Sequence, residues 1–365
     1  MKRTILLLIS HSCNLNCRYC YERFKDSKRM TWNQVKPILE KEFENSNNDI
    51  ESVDLLGGEP LTNFELIPQI CNWIWDKVPA MRIFIRTNGT LLTPEMKSWF
   101  ISNKKRITLG LSIDGIPEVN LINRGIAYLD IDFFQEHWPN NPLKMTVFPD
   151  SVQYLSESLQ YFYRRGFNII GGLAQGVMWD DKSCEELNKQ LDLLCDFYLD
   201  NPQIDVITPL FDFDFHKSFW IPQSQDEADP PCWEVANIHT YDCDGELLPC
   251  HMFSSIIQGK TKRETILFEA AKVKFELFLN ECRNCPIRWC CKNCMALNFQ
   301  HTGNFGDNIN RMLMCKAQKV VAYSSARLLI ARATRNMLKL DTNNQKEAIS
   351  NAIRYINLFE SSHNE

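Results

Sequence analysis

No stretch of this sequence approaches the roughly 18 consecutive apolar residues of a membrane span. The opening MKRTILLLIS carries an apolar run of only about five residues, Ile5–Ile9, against the roughly seven to fifteen of an export signal. His11, Ser12 and Cys13 follow that run where a small-residue cleavage site would stand. There is no run of five like charges, no low-complexity tract and no internal repeat, which excludes a charged tail or a repeat array. With 40 basic and 45 acidic residues the net charge is -5, so no basic surplus exists to drive nucleic-acid binding. These absences describe a cytoplasmic protein with neither a membrane nor a nucleic acid as partner. The chain also begins almost directly at its first strand pattern, with no recognition domain ahead of it.

What is present is core-forming residue and cysteine. Hydrophobic residues make up 44% of the 365, enough for one large domain and a smaller one. Fifteen cysteines are many for a reducing compartment, where structural disulfides are disfavoured. Cys71, Cys184 and Cys195 stand alone in helical patterns and read as small buried hydrophobes. The other twelve fall into two groups, Cys13–Cys20 and Cys232–Cys315, and such clustering points to metal.

Through about residue 210, short β-rich runs alternate with helical ones. The strand candidates are Thr4–Ile9, Ser52–Leu56, Met81–Thr87, Ile107–Ile113, Leu143–Phe148 and Asn168–Ala174, apolar enough to be parallel strands covered by helices. Helix patterns open on Thr31, on Thr62 with Glu65 at capping-box spacing, on Thr93 before Pro94, on Ser151 and on Ser183. Six strand–helix units in series predict an α/β fold built on a partial parallel (β/α)6 barrel. The aperiodic DFDFHKSFWIPQSQDEADPPC then bridges to a small Cys-rich domain, and helical patterns resume from Met312 and from about Asn343. The expected organisation is 1–215 barrel, 216–325 bridge and cysteine domain, 326–365 carboxy-terminal helices.

In a parallel α/β barrel, functional residues sit where strands end and loops begin. Cys13, Cys17 and Cys20, spaced C-x3-C-x2-C, follow the first strand with no fourth cysteine nearby. A structural zinc site asks for four closed ligands; three thiolates leave one position open, as an iron–sulfur cluster with one uncoordinated iron would. Zinc or a redox thiol is the plainer reading of the triplet alone. Further motifs then arrive at successive strand ends: GGEP (Gly57–Pro60), RTNGT (Arg86–Thr90) and LSIDG (Leu111–Gly115), with Arg124 nine residues on.

Taken in that order, these motifs resemble the radical S-adenosylmethionine (SAM) superfamily. The resemblance implies that Cys13, Cys17 and Cys20 hold a 4Fe-4S cluster whose open iron chelates SAM. It implies contacts to SAM from Tyr19, Gly57, Gly58, Glu59, Asn88, Ser112, Asp114 and Arg124. Glu59 would face the methionyl ammonium, Arg124 its carboxylate, Ser112 and Asp114 the ribose, and Tyr19 the adenine.

The second group reads C232-x12-G245-x4-C250, then C282-x2-C285-x5-C291-x2-C294, then Cys315. Zinc-ribbon knuckles are usually separated by about 15 to 20 residues; here five residues separate Cys285 from Cys291. Two zinc sites are the alternative, since thiolates suit both metals. The pattern resembles the SPASM domain, which holds two auxiliary 4Fe-4S clusters. Carried over, Cys232, Cys250 and Cys294 would serve one, and Cys282, Cys285, Cys291 and Cys315 the other. Cys290 competes with Cys291, which keeps the five-residue gap, and Cys243 is a candidate to complete the first auxiliary cluster.

SPASM enzymes mostly act on peptides and proteins. The implied function is hydrogen abstraction from a residue of a peptide substrate, as in ribosomal peptide maturases that crosslink, form thioethers or epimerise. Sulfatase-type formylglycine formation is the alternative, although His251 stands where that branch has an aspartate. A zinc-stabilised binding protein is the alternative outside the enzymes. The implied partners are the peptide, a reductase or flavodoxin-type electron donor, and a separate leader-binding protein. His251 and Asp214 are the weak candidates for acid–base work, and FDFDFH reads first as an acidic loop with half-buried Phe.

Overall fold

The run of branched apolar residues at the amino terminus makes the central strand. In the computed structural model, which describes residues 2–44, 49–204, 209–211, 213–219, 237–259, 282, 285–288, 291, 294–303, 309–338 and 341–361, β1 spans Arg3–Ser10. Ile5 through Ser10 are buried without a break, as a parallel strand covered on both faces requires. The chain divides into two compact units. One comprises Met1–Ile113, Arg124–Lys144 and Cys232–Val273; the other comprises Asp114–Asn123, Met145–Pro231 and Lys274–Glu365.

The first unit holds a six-stranded, mostly parallel sheet. Its strands are β1, β2 (Ile50–Gly57), β3 (Arg82–Thr87), β4 (Ile107–Leu111), β7 (Ile238–Tyr241) and β8 (Leu247–Leu248), in the order β4-β3-β2-β1-β7-β8. All neighbours pair in parallel except β7 with β8. Helices α1 (Trp32–Glu44), α2 (Leu66–Lys77) and α3 (Pro94–Asn103) connect the first four strands. The fold is α/β, as the alternating pattern predicts. The expected strand pairing gains a member, however: β7, a four-residue IHTY, lies beyond residue 215 and aligns Thr4 with Ile238 and Leu7 with Tyr241.

Long-range polar contacts hold β7 in place. His239 Nδ1 lies 3.0 Å from Glu42 of α1 and 2.9 Å from Arg3 Nη1, and the Tyr241 hydroxyl donates to Glu42 at 2.5 Å. Arg3 also bonds Glu42 and reaches Asp49 at 3.1 Å. Burial opposes ionisation of Glu42, but the bonds from Tyr241, His239 and Arg3 win and hold its carboxyl below the usual range.

The second unit contains β6 (Ile169–Leu173), paired with β5 (Leu143–Val147), of which it holds the residues from Met145 on, and the helices α4 (Leu155–Arg164) and α5 (Asp181–Asp200). Its carboxy-terminal helices are Cys315–Thr334 and Asn343–Ser361. Phe215 from the FDFDFH segment packs with Ala322, Ala326, Ala352 and Tyr355 of those helices. Asn351 Nδ2 donates to the Phe215 and Ser218 carbonyls at 2.9 and 3.3 Å, so Phe215 docks the segment on the helices while Phe211 and Phe213 stay half-buried and Asp214 exposed. Among the described residues no helix is long and apolar enough to cross a membrane.

Three expected helix starts move. Ser151 lies inside a short turn over Pro149–Tyr154, and its helix begins at Leu155. Thr62 does not cap α2. Its hydroxyl donates to the Glu59 carbonyl at 2.7 Å within a short turn over Pro60–Asn63, and the helix begins at Leu66. Asp180, not Ser183, caps α5, accepting from Ser183 N–H at 2.8 Å. Thr93 caps α3 as its spacing with Pro94 predicts. Cys71, Cys184 and Cys195 are buried, and burial pushes their thiols up to about 12, 11 and 12.

Candidate active site

The cysteine loop leaves β1 at Ser10 and is pinned before the first cysteine appears. His11 N–H donates to the Lys28 carbonyl at 2.9 Å. The buried His11 ring lies 2.5 Å from Asp242 Oδ1 through Nε2 and 3.2 Å from Asp26 through Nδ1. Asp242 stands in the hairpin loop after β7, where it also accepts from Cys243 N–H at 2.8 Å and from Ser255 N–H at 3.2 Å. Burial opposes ionisation of Asp242, but His11 holds its carboxyl below the usual range.

Donor atoms of His11, Asp242 and Cys243 lie within 4.8 Å of one another. They are saturated by protein: the Cys243 thiol donates to the Leu8 carbonyl at 2.9 Å, and burial, the largest influence, raises its pKa. The group is therefore a clamp between the β1 loop and the β7 turn, and Cys243 is used inside it. Asp242→Asn leaves a buried imidazole facing an amide, and is expected to destabilise the protein by about 3 kcal/mol in urea unfolding.

Gly57 and Gly58 explain the next step. A Cβ on Gly57 would lie 2.1 Å from the Ser10 carbonyl oxygen, and one on Gly58 2.7 Å from that of Ser12. The glycines thus let the end of β2 run against the backbone just before Cys13, where Gly58 N–H donates to Ser10 O and Glu59 N–H to Ser12 O, both at 2.8 Å. Because the obstacle is backbone, Gly57→Ala is expected to cost more than about 4 kcal/mol and to yield insoluble or iron-poor protein, read by expression and iron content.

Glu59 joins this turn to the next strand end. Oε1 accepts from Thr87 Oγ1 at 2.7 Å and from Leu61 N–H at 3.1 Å; Oε2 accepts from Asn88 N–H at 2.7 Å. The carboxyl is 1% exposed, and burial pushes it up to about 7 despite those donors and the charge of Arg124. A carboxylate offers about four acceptor positions; three are taken, leaving one on Oε2.

Asn88 then reaches the cysteine loop. Its Nδ2 donates to Asn14 Oδ1 at 3.0 Å and points at Cys13 Sγ at 4.0 Å, while its Oδ1 accepts from Thr90 N–H at 3.0 Å. Asn14 Nδ2 in turn donates to Thr90 Oγ1 at 2.7 Å. Asn14, between Cys13 and Cys17, and Thr90, at the end of RTNGT, join this network, and the sequence reading singled out neither.

Cys13, Cys17 and Cys20 are half-buried, with Cys20 N–H donating to the Cys17 carbonyl at 3.0 Å. Burial raises the Cys13 and Cys20 thiols, and the charge of Lys25 beside both works against it. Their sulfurs do not all come within 4.8 Å of one another. Three soft donors on one loop, with Leu15 N–H donating to Cys13 Sγ at 3.5 Å and a lysine alongside, fit a sulfur-ligated iron cluster.

The remaining expected contacts divide between the units. In the first, the buried Arg124 guanidinium stands over the Tyr19 ring at 5.9 Å, and half-buried Ser112 donates its N–H to the Thr87 carbonyl at 2.9 Å. In the second, Asp114 is fully buried. It accepts from Thr146 N–H at 3.0 Å and Asn123 Nδ2 at 3.3 Å, and its own N–H donates to Asn120 Oδ1 at 2.9 Å. Asp114 therefore shapes its turn. His251 lies in the first unit, 6.4 Å ring to ring from Tyr21. Asp214, in the second, is exposed and caps a short turn by accepting from His216 N–H at 3.2 Å.

Cys250, in the first unit, is buried at the start of the turn His251–Phe253. Cys282, Cys285, Cys291, Cys294 and Cys315 are half-buried residues of the second. Cys285 N–H donates to the Cys282 carbonyl at 3.1 Å, and burial raises the Cys285 thiol. No three of their sulfurs come within 4.8 Å of one another. Cys232 and Cys290 lie outside the described residues.

A parallel sheet with a thiol-bearing loop at the end of its central strand, braced by the turns ending β2 and β3, defines an α/β protein with three cysteines gathered at one end of its sheet. Residues 7–131 match the family model described as the radical SAM superfamily. The superfamily is one that uses SAM and a 4Fe-4S cluster. The chain is 28% identical over 131 residues to the radical SAM cyclopropyl synthase TigE of Paramaledivibacter caminithermalis, covering 31% of this chain and 27% of TigE. It spans less than two thirds of the length of the curated relatives it first matches. In fold it resembles native anSMEcpe with bound AdoMet and Cp18Cys peptide, with a TM-score of 0.63, 17% identity, and 92% of this chain and 98% of that one covered. It also resembles Streptococcus suis SuiB bound to precursor peptide SuiA, with a TM-score of 0.60, 14% identity, and 86% and 76% covered.

Proposed function

We propose that this protein is a radical SAM enzyme that removes a hydrogen atom from a residue of a peptide, most simply a maturase of a ribosomally synthesised peptide. The observation that carries the reading is the loop of Cys13, Cys17 and Cys20 at the end of β1, tied by Gly58, Glu59 and Asn88 to the ends of β2 and β3. The three thiolates would hold the cluster, and the bound cluster with SAM supplies a 5′-deoxyadenosyl radical.

The chain's own residues position that chemistry. Arg124, fixed over Tyr19, pairs with the methionyl carboxylate. Glu59 offers its remaining acceptor position to the ammonium. Ser112 serves the ribose, Asn88 adds a further polar contact, and Tyr19 lines the adenine side. Cys282, Cys285, Cys291 and Cys315 are the candidate ligands of an auxiliary cluster that takes up an electron from the product. His251 is the acid–base candidate in the unit that carries the cysteine loop.

Support for a peptide substrate comes from the fold shared with two proteins whose solved structures hold peptides. The test is anaerobic reconstitution, reduction with SAM, and assay of 5′-deoxyadenosine. Coexpression with the peptide of a neighbouring small reading frame follows. Mass spectrometry would then show loss of two hydrogens for a crosslink, or no mass change for epimerisation. Colourless, zinc-loaded protein that forms no 5′-deoxyadenosine ends the proposal.

A further inference from the structure

One charged group on the sheet of the first unit has a buried donor that no described residue accepts. Arg86 lies on β3 in register with Gly110 of β4. Its guanidinium folds back against Phe84, 4.9 Å from the ring centroid, and occupies the space a side chain at 110 would need: a Cβ there would lie 3.3 Å from Phe84 and 3.6 Å from the Arg86 guanidinium carbon. Gly110 thus makes room for the head group. Nη1 is buried, and among the described residues no acceptor bonds it. Asp54 on β2 and Tyr21, which directly follows Cys20, are the groups whose charge bears on it. Asp54 is not within ion-pair distance, and its own carboxyl, pushed up to about 6 by burial, is committed to Ser52 Oγ at 3.0 Å.

A buried guanidinium donor without an acceptor is an expensive arrangement that a fold retains poorly unless something else supplies the acceptor. The planar fork suits a carboxylate, which can accept two parallel N–H bonds and neutralise the charge. Its place fits a substrate. Arg86 is two residues before Asn88, which touches Asn14 and faces Cys13, so its backbone adjoins the strand end beside the cysteine loop, while its guanidinium is turned back along β3 over Phe84.

We infer that Arg86 is the anchor for a carboxylate of the peptide substrate, an Asp or Glu side chain or the peptide's carboxy terminus. The inference rests on the radical-enzyme reading for where the substrate lies. Arg86 binds and orients; it takes no part in bond breaking. Two sources of carboxylate exist, the peptide and the methionyl group of SAM, and the experiment separates them.

The full-length, anaerobically reconstituted protein is titrated calorimetrically with two blocked pentapeptides, acetyl-Gly-Gly-Glu-Gly-Gly-amide and its Gln counterpart, and separately with SAM. The expected result is binding of the Glu peptide on the order of tenfold more tightly than the Gln peptide, the scale of one charge-assisted pair. The ratio falls to about one in Arg86→Gln and is partly kept in Arg86→Lys. Iron content and circular dichroism unchanged from wild type show that each variant folds. Equal binding of the two peptides by the wild type, no binding of either at millimolar concentration, or an unchanged ratio in Arg86→Gln overturns the inference. Loss of SAM binding in Arg86→Gln with the peptide ratio intact assigns the guanidinium to the cosubstrate and overturns it as well. Wild-type 5′-deoxyadenosine formation is measured independently. Its absence removes the radical reading, whereas a Glu preference that depends on Arg86 is read from binding alone.

Discussion

Cys17→Ala protein, reconstituted anaerobically and reduced in the presence of SAM, is expected to form no 5′-deoxyadenosine above background. It should hold about four fewer irons than wild type, out of roughly 8 to 12 for two or three cubane clusters. Cys17 is the middle thiol of the loop, and its carbonyl accepts the Cys20 N–H, so the backbone of the turn survives while one ligand is lost. Cys13→Ala and Cys20→Ala should behave alike. By contrast, Cys71→Ala should keep its iron and its activity and lose only packing, because that thiol is buried in α2 among apolar neighbours. Retention of full iron and product by Cys17→Ala would remove the loop from the chemistry.

Glu59→Ala carries the second large effect, and this one is on folding as well as on SAM. Truncation leaves Thr87 Oγ1, Leu61 N–H and Asn88 N–H without their acceptor in a buried place. The expected loss is about 3 to 5 kcal/mol in denaturant unfolding, together with weakened SAM binding. The pH dependence has a definite sign. The folded-state carboxyl titrates near 7, above its ordinary 4.5. Between those values the native state binds more protons than the unfolded chain, so stability falls as pH rises. In the absence of SAM, the advantage of wild type over Glu59→Gln is expected to be about 2 to 3 kcal/mol smaller at pH 8 than at pH 5. An advantage that grows with pH would show that Glu59 is held as a carboxylate and that the burial argument fails.

How much of this was legible beforehand follows from the range of the interactions. All six strand candidates through residue 174 form strands, because each is a local run of branched apolar residues whose burial needs no distant partner to be recognised. The cysteine spacing and the motifs at the strand ends are likewise local. Strand β7 was not legible. It is four residues of mixed character, Ile238–Tyr241, and its place beside β1 depends on Glu42, about 200 residues earlier, and on His11 gripping Asp242. His239 shows no partner in sequence for the same reason.

The strand-end motifs show the difference most clearly. Their presence suggested ligand contacts, whereas the fold gives several of them work within the protein first. Gly57 and Gly58 make room for the backbone of Ser10–Ser12, Asp114 ties its own turn, and Cys243 bonds the Leu8 carbonyl.

The amino-acid sequence by itself determined the α/β class, the order of the early strands and the three thiols after the first of them, since periodicity and spacing are properties of neighbours along the chain. Only the tertiary structure decided which polar groups are spent on one another and which are left to act. That depends on burial and on partners brought together from far apart: Glu59 clasping β3, His11 locked to Asp242, and Arg86 held over Gly110 with a buried N–H that no described residue accepts.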